Sequence, residues 1–165
     1  MDLTFILEVA VDLFLSTFET KIDKKGRISI PARYRSLLEK NNEELVLFTT
    51  PGSEHIQGCG NNYIERLWET NLELDQISDE ALYIQDILSD STYFKLDAEG
   101  RILLSEKLIE AATLSINVLF AGRGETFQIW NPSNYNKEKE QRSKRLSLAG
   151  PQSLMLKNKK SVSDV

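Results

Sequence analysis

The sequence has little of what disulfide frameworks, metal sites and membrane spans require. Cys59 is its single cysteine and His55 its single histidine. One thiol excludes an internal disulfide and suits a reducing compartment, and two ligands do not complete a zinc site. No apolar run approaches the ~20 residues that a membrane helix needs. We therefore expect a cytoplasmic protein with no metal, no cofactor, no small-molecule substrate and no membrane contact.

Two further features are missing, a signal peptide and a catalytic motif. The apolar start MDLTFILEVAVDLFL lacks a basic region and contains Asp2, Glu8 and Asp12, so we do not expect secretion. There is no G-x-S-x-G motif and no phosphate-binding loop, and the carboxylates stand at no catalytic spacing. Cys59 would be a nucleophile only with His55 as its base. The sequence therefore predicts that this protein is not an enzyme.

The formal net charge of −5 conceals a strong segregation of charge. Lys21–Leu38 holds six basic residues against one acidic residue, whereas Glu65–Asp90 holds eight acidic residues against one basic residue. From Lys137 to the C-terminus there are eight basic and three acidic residues. Because salt screens charges more than ~10 Å apart, a local basic patch matters more to a polyanion than the overall sum.

One short motif occurs twice. KIDKKGRISIP at Lys21–Pro31 returns as KLDAEGRILLS at Lys95–Ser105. Aspartate accepts hydrogen bonds from backbone amides a few residues ahead, and glycine adopts positive φ without strain, so D-x-x-G predicts a tight turn between two strands. Each copy then places an arginine just past the turn. The matched residues are Asp23, Gly26 and Arg27 in the first copy and Asp97, Gly100 and Arg101 in the second.

Similar elements flank both turns. Apolar and polar residues alternate before and after each turn, which is the period of a strand. Pro31 and Ser105 are both signals for the start of a helix, and they precede PARYRSLLEKN and EKLIEAA. LVLFTT follows in the first copy, and NVLFAG and FQIW follow in the second, all typical of buried strands.

The repeat predicts the fold class. A unit of about 45 residues buries too little surface to be stable alone, but two such units can interleave their strands around a pseudo-twofold axis. We therefore expect a mainly β, α+β fold with short helices, in which two internal repeats build one small barrel. The repeats are assigned to residues 16–62 and 92–135, with an acidic helical spacer over 63–91 and a basic helix with a flexible tail over 136–165.

The spacer is expected to begin with one long helix. NNYIERLWETNLELDQI has apolar residues at mostly helical spacing and a strongly acidic outer face. Both tryptophans, Trp68 and Trp130, are interpreted as core or helix-packing residues rather than as platforms for stacked bases.

The paired D-x-x-G-R segments, the continuation GRISIPARYR and the closing FQIW resemble the MraZ family, bacterial proteins with two AbrB-like (SpoVT-AbrB) domains. The resemblance covers roughly Phe14 to Tyr135. It implies a swapped-hairpin, double-psi-type β-barrel and a sequence-specific DNA-binding transcriptional regulator, with repression as the expected action. It also implies ring-like homo-oligomers on the nucleoid that bind promoter repeats ahead of the protein's own division and cell-wall gene cluster.

The family usually begins near the segment Phe14–Ser16. Residues 1–13 are therefore expected to be an extension outside the family pattern, with Val11 as the true initiator. The x-x positions of the second turn are Ala98 and Glu99 instead of lysines. We therefore expect the second turn to contribute less to contact with double-stranded DNA than the first, and its acidic surface could instead meet a basic neighbour at a subunit interface.

Seven basic residues are the candidate DNA contacts: Lys21, Lys24, Lys25, Arg27, Arg33, Arg35 and Arg101. Lysines neutralise phosphates, and Arg27 and Arg101 could reach a guanine edge. Arg33 and Arg35 on the following helix suit backbone contacts. The competing interpretation is that each aspartate simply clamps its turn through an ion pair with the following arginine. An AbrB-like antitoxin or protein-interaction module remains the alternative function.

Overall fold

The computed structural model describes residues 12–148, which form eight strands and five helices. Of these, residues 12–135 belong to one compact unit and residues 136–148 to a second. Val11, nearly all of the predicted extension and the predicted tail lie outside the described residues. The elements are β1 Thr17–Lys21, β2 Arg27–Ser29, α1 Ala32–Lys40, β3 Leu45–Phe48, β4 Ile56–Gly60, α2 Asn61–Leu72, α3 Asp79–Asp90, β5 Thr92–Phe94, β6 Arg101–Leu103, α4 Glu106–Ala111, β7 Asn117–Gly122, β8 Phe127–Trp130 and α5 Pro132–Leu148.

The strands form one large and one small antiparallel sheet. Six of them are ordered β1-β7-β8-β4-β3-β5, and β2 pairs with β6 in a separate ladder. The predicted α+β class is therefore confirmed. More of the described residues lie in helices than in strands, however, so the prediction that the fold is mainly β is wrong. Within residues 12–148 no ladder joins the edge strands β1 and β5, so the large sheet stays open and the predicted closed barrel is not confirmed.

The strand order is palindromic with respect to the repeats: replacing each strand by its counterpart in the other repeat (β1 by β5, β3 by β7, β4 by β8) reverses the order. This symmetry arises because the two repeats exchange strands. β1 of the first repeat pairs with β7, and β5 of the second pairs with β3. The small ladder shows the same symmetry around Ile28, which lies opposite Ile102. Just beyond it, the Ile30 amide donates to the Gly100 carbonyl at 3.0 Å and the Leu104 amide to the Gly26 carbonyl at 2.9 Å. The ends of each turn are thus bonded to the other repeat.

The main core lies where the repeats meet. Ile28 is fully buried and Ile102 is 2% exposed, and both pack with the aromatic rings of Tyr34, Phe120 and Phe127. Burial raises the pKa of Tyr34 to about 12, and its hydroxyl donates to the Ser16 carbonyl at 3.0 Å. The buried hydroxyl of Tyr34 therefore has a hydrogen-bond partner, as buried polar atoms normally do.

The single long helix predicted for the start of the spacer is wrong. α2 ends at Leu72, and α3 begins seven residues later with Ser78 as its N-cap. Asn71, which is fully buried, exchanges side-chain and backbone hydrogen bonds with Gln76 and holds the chain in a turn. Leu72 is therefore left 61% exposed. None of the helices within residues 12–148 is long and apolar enough to cross a membrane.

The two tryptophans differ. Trp130 is 3% exposed and meets Tyr135 edge to face, so its predicted packing role is confirmed. Trp68 is 49% exposed, so of the two predicted roles, core or helix packing, a core position is excluded. Ile64 and Leu67 supply the apolar side of α2 instead, against Val46 and Phe48.

Candidate nucleic-acid interface

The first turn is held by its aspartate. One carboxylate oxygen of Asp23 accepts from the backbone amides of Lys25 and Arg27, each at 2.9 Å, and the other accepts from Nε of Arg27 at 2.7 Å. Gly26, with a φ of 85°, donates its amide to the Asp23 carbonyl at 3.0 Å. The Arg27 amide contributes most to holding the pKa of Asp23 below its usual 3.8. Because this pKa is depressed, the clamp is fully present above the usual pKa of 3.8. It is lost as the pH falls through the lowered pKa and the carboxylate becomes protonated.

The second turn has the same backbone. Asp97 accepts from the amides of Glu99 and Arg101, each at 2.9 Å, and from Nε of Arg101 at 3.0 Å. Gly100 has a φ of 77°, and donation by the Arg101 amide likewise lowers the pKa of Asp97. Both ion pairs expected from the sequence are therefore present, and the aspartates and glycines act in the geometry of the turns.

The turns differ in what surrounds the arginine. In the second turn the carboxylate of Glu99 lies 3.1 Å from Nη2 of Arg101. Arg101 thus faces two carboxylates, whereas among residues 12–148 Arg27 faces only that of Asp23. Since Asp23 occupies Nε, the two terminal nitrogens of Arg27 remain available to a ligand. In Arg101 one of those nitrogens is already engaged.

Both arginines lie on the outer face of the small ladder. Side chains alternate between the faces of a strand, so the buried Ile28 and Ile102 place the neighbouring residues on the opposite face. Arg27 stands opposite Leu103, and Arg101 stands opposite Ser29. The two arginines are therefore diagonal neighbours, about 7–8 Å apart at their Cα atoms.

Four basic side chains gather at the first turn, which we call the basic turn: Lys21, Lys24, Lys25 and Arg27. The three lysines are exposed, and in the described chain no carboxylate pairs with them. The matched positions of the second turn hold Lys95, Ala98, Glu99 and Arg101. The same backbone therefore carries a strongly positive surface in one repeat and a nearly neutral one in the other.

Arg33 and Arg35 share α1 but differ in environment. Arg33 is exposed and has no ion pair within residues 12–148. Arg35 is half-buried, donates from Nε to the Ile30 carbonyl at 3.1 Å, and lies so close to Gly100 that a Cβ there would overlap its guanidinium. Ile109 is the counterpart of Arg35 in the second repeat, and it lies against Gly26 of the first turn in the same way. Arg35 is thus packed between the repeats, which its sequence neighbourhood did not indicate.

The remaining reactive groups are poorly suited to catalysis. Cys59 is fully buried, and burial raises the pKa of its thiol to about 12, so the nucleophilic thiolate is disfavoured. His55 stacks on Trp130 with ring centroids 4.6 Å apart, and burial lowers its pKa. In the part of the chain that the structure describes, no group of three or more His, Cys, Asp or Glu residues could hold a metal ion.

These features define a class of small α+β proteins in which two interleaved D-x-x-G-R repeats present unequal charge. Comparison with known proteins identifies the family. The family model described as "MraZ protein, putative antitoxin-like" matches residues 13–50 and 87–159, more than half of the chain. The chain belongs to the MraZ family.

Curated relatives agree with this assignment, and each is named "Transcriptional regulator MraZ". The Pelagibacter ubique protein is 38% identical over 138 residues, covering 82% of this chain and 89% of its own. The Rhodospirillum rubrum protein is 37% identical over 127 residues, covering 73% and 80%. The Rickettsia bellii protein is 34% identical over 128 residues, covering 76% and 85%.

Proposed function

We propose that this protein is a sequence-specific DNA-binding regulator of transcription that represses its own division and cell-wall gene cluster. It would bind promoter repeats as a ring-like homo-oligomer associated with the nucleoid in the cytoplasm. The observation that carries the proposal is the basic turn, whose exposed lysines stand beside an arginine on the outer face of the small ladder. The names of the curated relatives support the regulatory part.

The two kinds of cation in the basic turn would have different tasks. Lys21, Lys24 and Lys25 are exposed point charges, suited to neutralising phosphates and releasing counterions. Arg27 is oriented by Asp23 through Nε, so its terminal nitrogens can approach a guanine edge, a contact worth about 1–3 kcal/mol of discrimination. Arg101 would have to leave Glu99 before it could do the same with both nitrogens. We therefore assign most of the DNA contact to the first repeat.

The palindromic strand order supports an AbrB-like swapped-hairpin arrangement of two repeats, 16–62 and 92–135. One protomer offers a single strongly basic turn, which is a small surface for specific recognition. Several protomers on tandem sites would gain effective concentration instead of new contacts. A ring would supply this multivalency, and it would account for how one basic turn per chain suffices.

The test is a titration of labelled duplex DNA from upstream of the protein's own gene against a scrambled duplex, at several salt concentrations. The full chain should bind the natural duplex more tightly, with a steep dependence on salt. The variant Lys24→Glu/Arg27→Ala should abolish this preference, because it removes a phosphate contact and the base-reading arginine. Absence of binding by a correctly assembled oligomer would refute the proposal.

A matched pair of single variants locates the contact. Lys21 and Lys95 occupy the same position before their turns, and both are exposed. Lys21→Glu should weaken binding severalfold and Lys95→Glu much less, because only Lys21 belongs to the basic turn. Equal effects would mean that both repeats contact DNA alike, contrary to the assignment above.

The antitoxin or protein-interaction module is the second candidate. It is favoured by the "antitoxin-like" wording of the family description and by apolar side chains exposed on α2 and α3. Co-purification of a toxin-sized protein in a fixed ratio, together with no preference for the natural duplex, would favour it over the regulator.

A further inference from the structure

A second surface, formed by residues outside the two turns, has the composition of a docking site. It is formed by α2, α3 and the connecting residues 73–78, which we call the acidic hairpin. An open groove of about 450 Å³ runs along it, lined by Thr70, Leu74, Asp79, Glu80, Tyr83 and Ile84. Large apolar side chains are also exposed on it: Trp68, Leu72, Ile77, Leu82 and Tyr83. Exposed apolar surface with a polar rim is typical of interaction sites.

The negative charge near this groove indicates that its partner is positively charged. Glu65–Asp90 holds eight acidic residues against Arg66 alone. Arg66 is itself engaged, since its two terminal nitrogens contact the carboxylate of Glu125 at 3.1 and 2.6 Å. Asp79 and Glu80 line the groove together with Leu74, Tyr83 and Ile84, so negative charge and apolar surface lie side by side there. This combination suits a basic segment that also carries apolar side chains.

The end of α5 is such a segment within the same sequence. None of the residues of α5 is buried. Its last turns expose Lys144 and Arg145 directly before Leu146 and Leu148, which are 49% and 90% exposed. The basic turn has cations but no comparable pair of exposed leucines, so it fits the groove less well. Complementarity of both charge and apolar surface thus favours α5.

We propose that the end of α5 in one copy docks into the groove of the acidic hairpin of a second copy. This inference rests on the proposed ring-like assembly and gives it a contact. The two surfaces are different patches of one chain, so each copy can receive one neighbour in its groove and insert its own α5 end into another. Such heterologous contacts close into rings when the rotation permits, whereas a reciprocal exchange between two copies would stop at a dimer. The basic turn takes no part in it and stays free for DNA.

The test measures self-association of the full chain without DNA, by sedimentation velocity over a range of concentrations. The hairpin variant Glu73→Lys/Glu80→Lys and the helix variant Lys144→Glu/Arg145→Glu each place like charges across the contact. Each should raise the dissociation constant of self-association roughly tenfold or more. The control Glu39→Lys/Glu110→Lys makes the same charge change at exposed residues of α1 and α4 and should assemble normally.

Mixing the two reversed variants is the decisive step. Each chain then carries a groove and an α5 end that match only the other variant, so an equimolar mixture should recover assembly as alternating rings. A chain with all four substitutions should also assemble. Thermal unfolding monitored by circular dichroism keeps misfolded variants out of the comparison.

The outcomes separate this inference from the proposed function. Wild-type mass for both reversed variants, failure of the mixture to assemble, or a monomeric wild type at tens of micromolar would each overturn the α5 contact. None of these results depends on DNA. Conversely, a wild type that assembles through α5 but does not distinguish natural from scrambled duplex would overturn the regulator proposal and leave the contact standing.

Discussion

The two D-x-x-G-R turns have nearly the same hydrogen bonds but differ in the charge of their exposed residues. Asp23 and Asp97 accept equivalent hydrogen bonds from two amides and one arginine. Between aspartate and glycine, however, the first turn carries two lysines and the second carries Ala98 and Glu99. The aspartate, glycine and arginine that shape each turn are duplicated, whereas the two exposed residues between aspartate and glycine are not.

The duplicated residues serve the fold, whereas the residues that differ between the turns serve the proposed function. The interleaved ladder needs both turns, because Ile30 and Leu104 bond to the glycine of the opposite turn. The residues between aspartate and glycine are exposed and carry no such constraint. They are therefore free to differ, and in this chain they concentrate positive charge in one repeat.

The largest effect is expected where the repeats are most alike. Ile28→Ala and Ile102→Ala each remove a buried side chain at the centre of the small ladder. Each should lower the free energy of unfolding by about 2–5 kcal/mol, because both the apolar transfer and a cavity contribute. Urea unfolding of the two variants should give similar losses, which would show that the repeats share one core.

Leu103→Ala is the matched control for this pair. Leu103 lies on the outer face of the same ladder and is 60% exposed, so its loss should change stability by no more than about 0.5 kcal/mol. If one isoleucine variant were destabilised and the other not, the repeats would be unequal in the core as well as in charge.

A smaller but sharper effect is expected from exchanging the turn residues. Lys24→Ala/Lys25→Glu gives the first turn the composition of the second and should weaken DNA binding about tenfold or more, with a salt slope lower by about two. Ala98→Lys/Glu99→Lys makes the second turn basic and releases Arg101 from Glu99, so binding to any duplex should strengthen. The measurement is the logarithm of affinity against that of salt concentration.

The chain with both exchanges is the control for location. It has the same composition as the wild type but carries its cations on the second repeat. Recovery of affinity without recovery of preference for the natural duplex would show that the position of the charge determines specificity. If the first exchange left the salt slope unchanged, Lys24 and Lys25 would have no role in binding DNA.

Local patterns predicted the parts of the fold that local chemistry determines. The D-x-x-G spacing places carboxylate and amides within one turn, and Ser105 begins α4 as an N-cap because its hydroxyl accepts from the Leu108 amide. The α+β class followed from two units that are each too small for a core of their own. The family followed from the paired motifs and their continuations.

The features that the sequence did not reveal depend on long-range contacts. The break between α2 and α3 arises from a hydrogen-bond network around the buried Asn71, which helical periodicity does not register. The open ends of the large sheet depend on which strands pair, and the contact between Arg35 and Gly100 joins residues of different repeats.

The smallest expected effect concerns Arg35, which the sequence predicted to be a DNA-backbone contact. Arg35→Ala removes its bond to the Ile30 carbonyl and its packing on Gly100, so the free energy of unfolding should fall by about 0.5–1.5 kcal/mol. The salt slope of DNA binding should stay the same, since a packed guanidinium releases no counterion. Arg33→Ala, on the exposed side of α1, should do the reverse and lower the slope by about one without loss of stability. A lower slope with unchanged stability for Arg35→Ala would instead return Arg35 to the DNA-contacting surface, and the second turn would then lack the support we assign to it.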